Sequence, residues 1–129
     1  MQRLSERKNI FLFFALGWTS LITYFSMSDV RMLPTIKIQD IDKGVHFVFH
    51  FVFTLNWYLY LGARNGFVAK SLYKALLLSL LYGITIEIAQ GTLTTYRSAD
   101  PLDVLANSSG ALACAVVVIL AQKSFKLMK

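Results

Sequence analysis

The chain has 129 residues, which is enough for one domain and too few for two of ordinary size. Hydrophobic residues make up 56% of it, charged residues make up 16%, and the mean hydropathy is +0.55. This composition excludes an ordinary soluble protein, because so short a chain leaves a large surface to cover with polar groups. The net charge of +6 is spread over tails and loops instead of one face, so we do not expect nucleic acid as a partner.

The single cysteine, Cys114, lies in the apolar run "ALACAVVVIL". One cysteine excludes an intrachain disulfide and a metal cluster made of cysteines. We expect Cys114 to be a small residue that is buried or faces lipid.

Four apolar segments are long enough to cross about 30 Å of hydrocarbon as helices, which takes roughly 17 to 25 residues. They cover approximately residues 10–27, 45–61, 72–90 and 102–120. The first follows the basic tail "MQRLSERK", but its length and the lack of a small-residue cleavage site favour a retained helix over a signal peptide. The sequence therefore predicts an all-α protein, with one integral membrane domain of four transmembrane helices over residues 1–129.

Basic residues in short flanking segments predict the direction of the helices, because Lys and Arg resist translocation. Nine of the 13 flank one side of the predicted bundle: Arg3, Arg7, Lys8, Arg64, Lys70, Lys74, Lys123, Lys126 and Lys129. The other side has Arg31, Lys37, Lys43 and Arg97, with six of the seven acidic residues. The sequence predicts a multi-pass protein of the cell membrane with both termini in the cytoplasm and most of its unusual polar residues outside.

The second segment opens with the polar stretch "DIDKGVHFVFHF". Asp42, His46 and His50 are separated by four residues each, so a helix places them along one face, with Lys43 beside them. For His46 we favour a role in a site over a simple interfacial hydrogen bond. For His50 we favour helix packing, with a hydrogen bond to a backbone carbonyl.

The third segment ends with "YGITIEIAQG", which places Glu87 and Gln90 on one face of a helix. A carboxylate that faced lipid would be costly, so Glu87 is expected to face the bundle and to be paired or protonated. Gly83, one turn earlier, predicts a close approach of another helix.

Asp100 precedes Pro101 in the loop before the last segment. Aspartate caps exposed backbone amides and proline fits the first helical turn, so this pair predicts the start of a helix. The same observation leaves two roles open for Asp100, as a helix cap and as a site residue.

Asp103 and Asn107 continue along one face of the last segment, and Gly110 follows on the same side. Asn107 is expected to hydrogen-bond across the bundle, and Gly110 to permit the close approach that such a bond needs. Two acids in a small bundle favour a cation between them. Arg97 is the nearest candidate in the sequence to lie between Glu87 and Asp103.

Three blocks of residues then occur in an order typical of one family. They are Asp42-Lys43-x-x-His46-Phe47, Tyr82-Gly83-x-x-Ile86-Glu87-x-x-Gln90, and Arg97 with Asp103-x-x-x-Asn107-x-x-Gly110. On these blocks, which span residues 42–110, the chain resembles VanZ-like membrane proteins. It departs from the family after Gly110, where another glycine often follows and this chain has Ala113 and Cys114.

The resemblance implies a protein of the bacterial cell envelope and a link to resistance against lipoglycopeptide antibiotics such as teicoplanin. The family has no settled biochemical activity, so the resemblance supplies no mechanism.

The candidates for an outward-facing polar pocket are Asp42, Lys43, His46, Glu87, Gln90, Arg97, Asp100, Asp103 and Asn107. The first hypothesis is that they bind membrane lipids, a lipid-linked cell-wall precursor, a lipoglycopeptide or another anionic headgroup. The alternatives are a membrane enzyme, with a weak metal set of His46, Glu87 and Asp103, and a scaffold that holds a partner protein. The sequence has no HExxH, no glycine-rich phosphate loop and no nucleophile elbow, so an enzyme is less favoured, no cofactor is predicted and the oligomeric state stays open.

Overall fold

The computed structural model describes residues 2–28, 39–95 and 97–127. These ranges form four helices and no strand: α1 (Gln2–Met27), α2 (Gln39–Asn65), α3 (Ala69–Leu93) and α4 (Pro101–Leu127). The predicted all-α fold is confirmed. Each helix is longer than its apolar segment, because the polar residues at its ends continue the helical hydrogen bonding.

Among the described residues, three helices contain stretches long and apolar enough to cross a membrane: Glu6–Met27, Ala69–Leu93 and Pro101–Ser124. α2 does not, although the sequence predicted a span over residues 45–61. Its apolar run is interrupted by polar side chains, including His46, His50 and Asn56. By length and composition, three of the four predicted spans qualify as membrane-crossing helices among the described residues, and the second does not.

α2 packs against all three other helices and has the most extensive contacts with them. The Trp18 indole N–H of α1 donates to the Phe49 carbonyl of α2 over 3.0 Å, and Gln122 of α4 donates to the Tyr58 hydroxyl of α2 over 2.6 Å. Side chains of a helix in this position face neighbouring helices more than they face the surroundings. Polar groups on α2 can therefore be satisfied inside the bundle.

Successive helices run in opposite directions, so the bundle has two chemically different ends. α2 and α4 begin, and α1 and α3 end, at what we call the charged end. At the opposite end, the basic end, Gln122 of α4 lies beside Tyr58 of α2 and also donates to the Phe67 carbonyl of the α2–α3 turn. That turn ends α2 through Gly66, whose φ of +92° fits glycine, and the Gly66 N–H closes the helix on the Gly62 carbonyl over 2.8 Å.

The apolar core lies among α2, α3 and α4 toward the basic end. It contains Tyr58, Leu72, Ala75, Cys114, Ala115 and Val118. Cys114 is fully buried there, as one of the two predicted options. The outer surface is also apolar: Phe13 of α1 is 74% exposed and Leu93 of α3 is 77% exposed. Such a surface suits lipid better than water.

Two glycines bring the helices together near the charged end. A Cβ atom at Gly110 of α4 would overlap the backbone carbonyl of Phe47 on α2. A Cβ atom at Gly83 of α3 would lie 2.9 Å from His50 Cε1 and 3.2 Å from Asn107 Cβ. The predicted close approaches at both glycines are confirmed, and they set α3 and α4 directly against the polar face of α2.

Candidate functional site

Eight of the nine predicted site residues come together at the charged end. They arise from the first turns of α2, the last turns of α3, the α3–α4 loop and the first turns of α4. We call them the polar cluster: Asp42, Lys43, His46, Glu87, Arg97, Asp100, Asp103 and Asn107.

Lys43 is the cation that joins α2 to the start of α4. Its ammonium lies 3.0 Å from an oxygen of Asp100 and 3.1 Å from an oxygen of Asp103. The Asp103 side chain is 6% exposed, so this pair is largely removed from water, whereas Asp100 is 40% exposed. The two contacts raise the pKa of Lys43 above its ordinary value of 10.5, the Asp100 contact most.

Arg97 pairs with Asp42, with its Nη2 atom 3.3 Å from both carboxylate oxygens. The expected position of Arg97 between Glu87 and Asp103 is wrong, because its partner is Asp42. Lys43 takes the position beside Asp103, since α2 begins directly against the first turn of α4.

Glu87 ties the end of α3 to the loop before α4. Its Oε1 atom accepts a hydrogen bond of 2.7 Å from the backbone N–H of Asp100. The residue is 3% exposed, and its Oε2 atom is buried without a hydrogen-bond partner among the described residues. As expected, Glu87 faces the bundle; its pairing with Arg97 is replaced by this backbone contact.

Asp100 caps α4, which is one of the two roles that the sequence left open, and it also pairs with Lys43; its role in a site stays a prediction. Its Oδ1 atom accepts a hydrogen bond of 2.8 Å from the backbone N–H of Leu102, which caps α4, and its Oδ2 atom meets Lys43. α4 begins at Pro101, so the predicted helix start is confirmed. The Leu102 N–H and then the Lys43 ammonium hold the pKa of Asp100 below its ordinary value of 3.8.

His46 lies at the centre of the polar cluster. Its Nδ1 atom is 3.0 Å from the Asn107 side-chain oxygen, and its Nε2 atom is 3.7 Å from an oxygen of Asp103 and 3.9 Å from an oxygen of Asp42. One ligand atom from each of Asp42, His46 and Asp103 falls within 4.8 Å of the others. The weak metal set from the sequence had Glu87 in place of Asp42; Glu87 is not in the group found in the described structure.

His50 lies one turn deeper along α2 and is fully buried. Its Nδ1 atom is 2.9 Å from the Ser79 hydroxyl of α3, so the packing role is confirmed, but the partner is a side chain and not the expected carbonyl. The His50 Nε2 atom and the Asn107 side-chain nitrogen are buried without partners in the described part of the chain. The polar face of α2 thus continues below the cluster.

Gln90 is the predicted site residue that lies outside the polar cluster. Its amide nitrogen donates to the Ser26 carbonyl of α1 over 2.9 Å, so it joins α3 to α1. Neither Ser26 nor Ser79 was singled out from the sequence. Ser79 shares a helix face with Gly83, one turn away, but serines are common enough in helices that this signal is weak.

Several residues used to predict the topology have no described position. Asp29, Arg31 and Lys37 lie within residues 29–38, outside the described residues, as does Lys129. The side chains of Arg3 and Asp40 are also outside the described set.

The fold and the cluster define a class: a helical, membrane-type protein whose helix ends enclose a buried network of charged and polar side chains. A family model described as VanZ/LLP1 matches residues 3–122, and the chain belongs to this family. Comparisons with curated proteins and with solved structures found no match.

Proposed function

We propose that this VanZ/LLP1 family protein crosses the bacterial cell membrane four times, with both termini in the cytoplasm. Two observations support it. The basic end has lysines and arginines from all four helices, among them Arg7, Arg64, Lys74 and Lys126. α2 packs against all three apolar helices, so it crosses with them in spite of its composition.

This topology puts the polar cluster at the outer surface of the membrane. We infer that the cluster binds an anionic headgroup there, either of a membrane lipid or of a lipid-linked cell-wall precursor. The observation that carries this inference is the state of Arg97. Its side chain is 20% exposed and, within the described residues, it engages Asp42 through Nη2 alone, which leaves its other nitrogens as donors for a ligand.

Arginine is well suited to this task because its planar guanidinium binds phosphate through paired hydrogen bonds. Lys43, one-third exposed on the same side, supplies a second positive charge. Asp42, Asp100 and Asp103 hold these two cations in place, so their geometry is set before a ligand arrives.

The link to teicoplanin resistance comes from the family resemblance. A protein that holds a lipid-linked cell-wall precursor at the outer surface competes with a lipoglycopeptide for the same molecule. Binding of this kind gives low-level protection without any change to the peptidoglycan peptide, and it requires no catalysis.

Native mass spectrometry of the detergent-solubilised protein tests the headgroup proposal. The wild type is expected to retain phosphatidylglycerol in preference to phosphatidylcholine, and Arg97→Ala to lose roughly tenfold or more in this preference, since it removes a charge-assisted contact. Arg64→Ala is the matched control, because Arg64 is exposed at the basic end. A wild type without headgroup preference, or an equal loss in Arg64→Ala, would contradict the proposal.

A further inference from the structure

We infer that Asp42, His46 and Asp103 form a binding site for a divalent transition-metal ion, and that Asn107 positions the histidine. The three residues come from two helices, and their ligand atoms lie within 4.8 Å of one another. This site rests on its own geometry, so it can stand or fall separately from headgroup binding.

The contact with Asn107 fixes which nitrogen of the His46 ring has the proton. Its Nδ1 atom faces the Asn107 side-chain oxygen at 3.0 Å, and an amide oxygen only accepts hydrogen bonds. Nδ1 therefore has the proton, and in the neutral ring the lone pair is on Nε2. Ligating histidines usually donate their other ring N–H to such an oxygen, which fixes the tautomer that a metal needs.

The other ring nitrogen of His46, Nε2, faces two carboxylates. It lies 3.7 Å from Asp103 and 3.9 Å from Asp42, which is beyond hydrogen-bond distance, and it makes no hydrogen bond to the described residues. His46 is 6% exposed, so most of the ring lies inside the bundle. A lone pair directed at two carboxylates is repulsive, and a cation among the three groups makes every contact attractive.

The charges of the polar cluster also favour a bound cation. Among the described residues, three aspartates of the cluster, Asp42, Asp100 and Asp103, face two permanent cations, Lys43 and Arg97. Glu87 also lies in the cluster; it is 3% exposed, and its Oε2 atom has no hydrogen-bond partner among the described residues. A bound cation offsets the excess negative charge of the aspartates, which is expensive to leave unbalanced in a buried site.

The ligand types select the metal. One imidazole nitrogen with two carboxylates suits Zn²⁺ or Mn²⁺ better than Mg²⁺ or Ca²⁺, which prefer oxygen ligands alone. Three protein ligands also leave a coordination position for water or for an oxygen of a bound molecule. The Asp103 oxygen nearer His46 is not the one that contacts Lys43, so Asp103 can bind both cations.

The test is metal binding by the full-length protein in detergent, with any histidine tag removed. Zn²⁺ and Mn²⁺ are titrated by calorimetry, and Co²⁺ replaces them to report nitrogen ligation through its visible absorption. We expect one ion per chain, with at least tenfold weaker binding in His46→Gln and in Asp103→Asn. Asp100→Asn is the matched control, because Asp100 shares Lys43 with Asp103 but is not a ligand, and asparagine caps a helix equally well.

Retained affinity in Asp100→Asn with losses in the two ligand variants supports the site. A wild type that binds neither Zn²⁺ nor Mn²⁺ overturns it. The site is also overturned if His46→Gln binds the metal as tightly as the wild type, or if Asp100→Asn loses as much affinity as the ligand variants. Either result would mean that the metal binds loosely to an acidic surface. If the ligand variants do not fold, the Co²⁺ spectrum of the wild type decides the question. A spectrum without nitrogen ligation overturns the site.

Discussion

Lys43 is the residue on which the ionic contacts between α2 and α4 depend. It meets one half-exposed carboxylate, Asp100, and one buried carboxylate, Asp103. The buried contact is the more consequential, since an ion pair in water contributes little and an unpaired buried charge is strongly destabilising. Lys43 therefore places a positive charge beside the buried Asp103 carboxylate, next to His46.

The pKa of Asp100 predicts how the stability of the protein depends on acid. Its pKa is lowered by folding, so its contribution is complete above the ordinary value of 3.8 and is lost as the pH falls through the folded value. Asp100→Asn keeps the helix cap but not the charge. We expect this variant to unfold at a lower temperature than the wild type at neutral pH, with the gap closing in acid.

Thermal unfolding in detergent at a series of pH values measures this gap. Lys43 stays charged throughout, because its pKa is raised. A gap of the same size in acid as at neutral pH would show that Asp100 does not act through its charge.

Residue spacing could predict which side chains share a helix face, but not which side chains meet between helices. It correctly gathered Asp42, His46, Asp103 and Asn107 at one end of the bundle. It assigned Arg97 to the wrong acids, because the choice between Arg97 and Lys43 depends on where α2 begins relative to α4, and that offset has no local signal. Gln90 was also misplaced, because residue spacing within α3 does not show that α1 packs against this part of the helix.

At the scale of elements, α2 shows why composition alone understates a helix in a bundle. Lipid-facing helices need apolar side chains all round, whereas α2 packs against three neighbours and has buried polar residues, including His46, His50 and Thr54. The same helix supplies Asp42, Lys43 and His46 to the polar cluster. The start of α4 at Asp100 and Pro101 was predictable, since capping is a local property of the chain.

The contact of α4 with α2 at Gly110 makes a prediction about stability. Gly110→Ala introduces a Cβ atom against the Phe47 backbone, which cannot rotate away, so we expect a loss of about 1 to 3 kcal/mol in the free energy of unfolding. Unfolding by SDS in mixed micelles measures it.

Gly17→Ala is the control for this experiment. A Cβ atom at Gly17 of α1 meets nothing within 4 Å, so alanine is expected to be neutral or to stabilise its helix by up to about 1 kcal/mol. If Gly110→Ala were as stable as Gly17→Ala, α4 would not be held against α2 at this point.

At the scale of the whole molecule, the two ends of the bundle differ in the sign and arrangement of their charges. The basic end has single lysines and arginines near solvent, which suit the phosphates of a cytoplasmic leaflet. The charged end has its cations locked between carboxylates around His46. This asymmetry is the physical basis of the proposed topology, in which four helices cross the membrane and the polar cluster faces outward.

Cysteine labelling in spheroplasts tests that topology most directly. Single cysteines are placed at three exposed positions, Glu6, Asn65 and Ser98, while the native Cys114 is fully buried and does not react. A membrane-impermeant maleimide is predicted to label Ser98→Cys in intact spheroplasts, and Glu6→Cys and Asn65→Cys only after permeabilisation. Labelling of Asn65→Cys or Glu6→Cys in intact spheroplasts, with Ser98→Cys protected, would place the polar cluster in the cytoplasm and contradict the account.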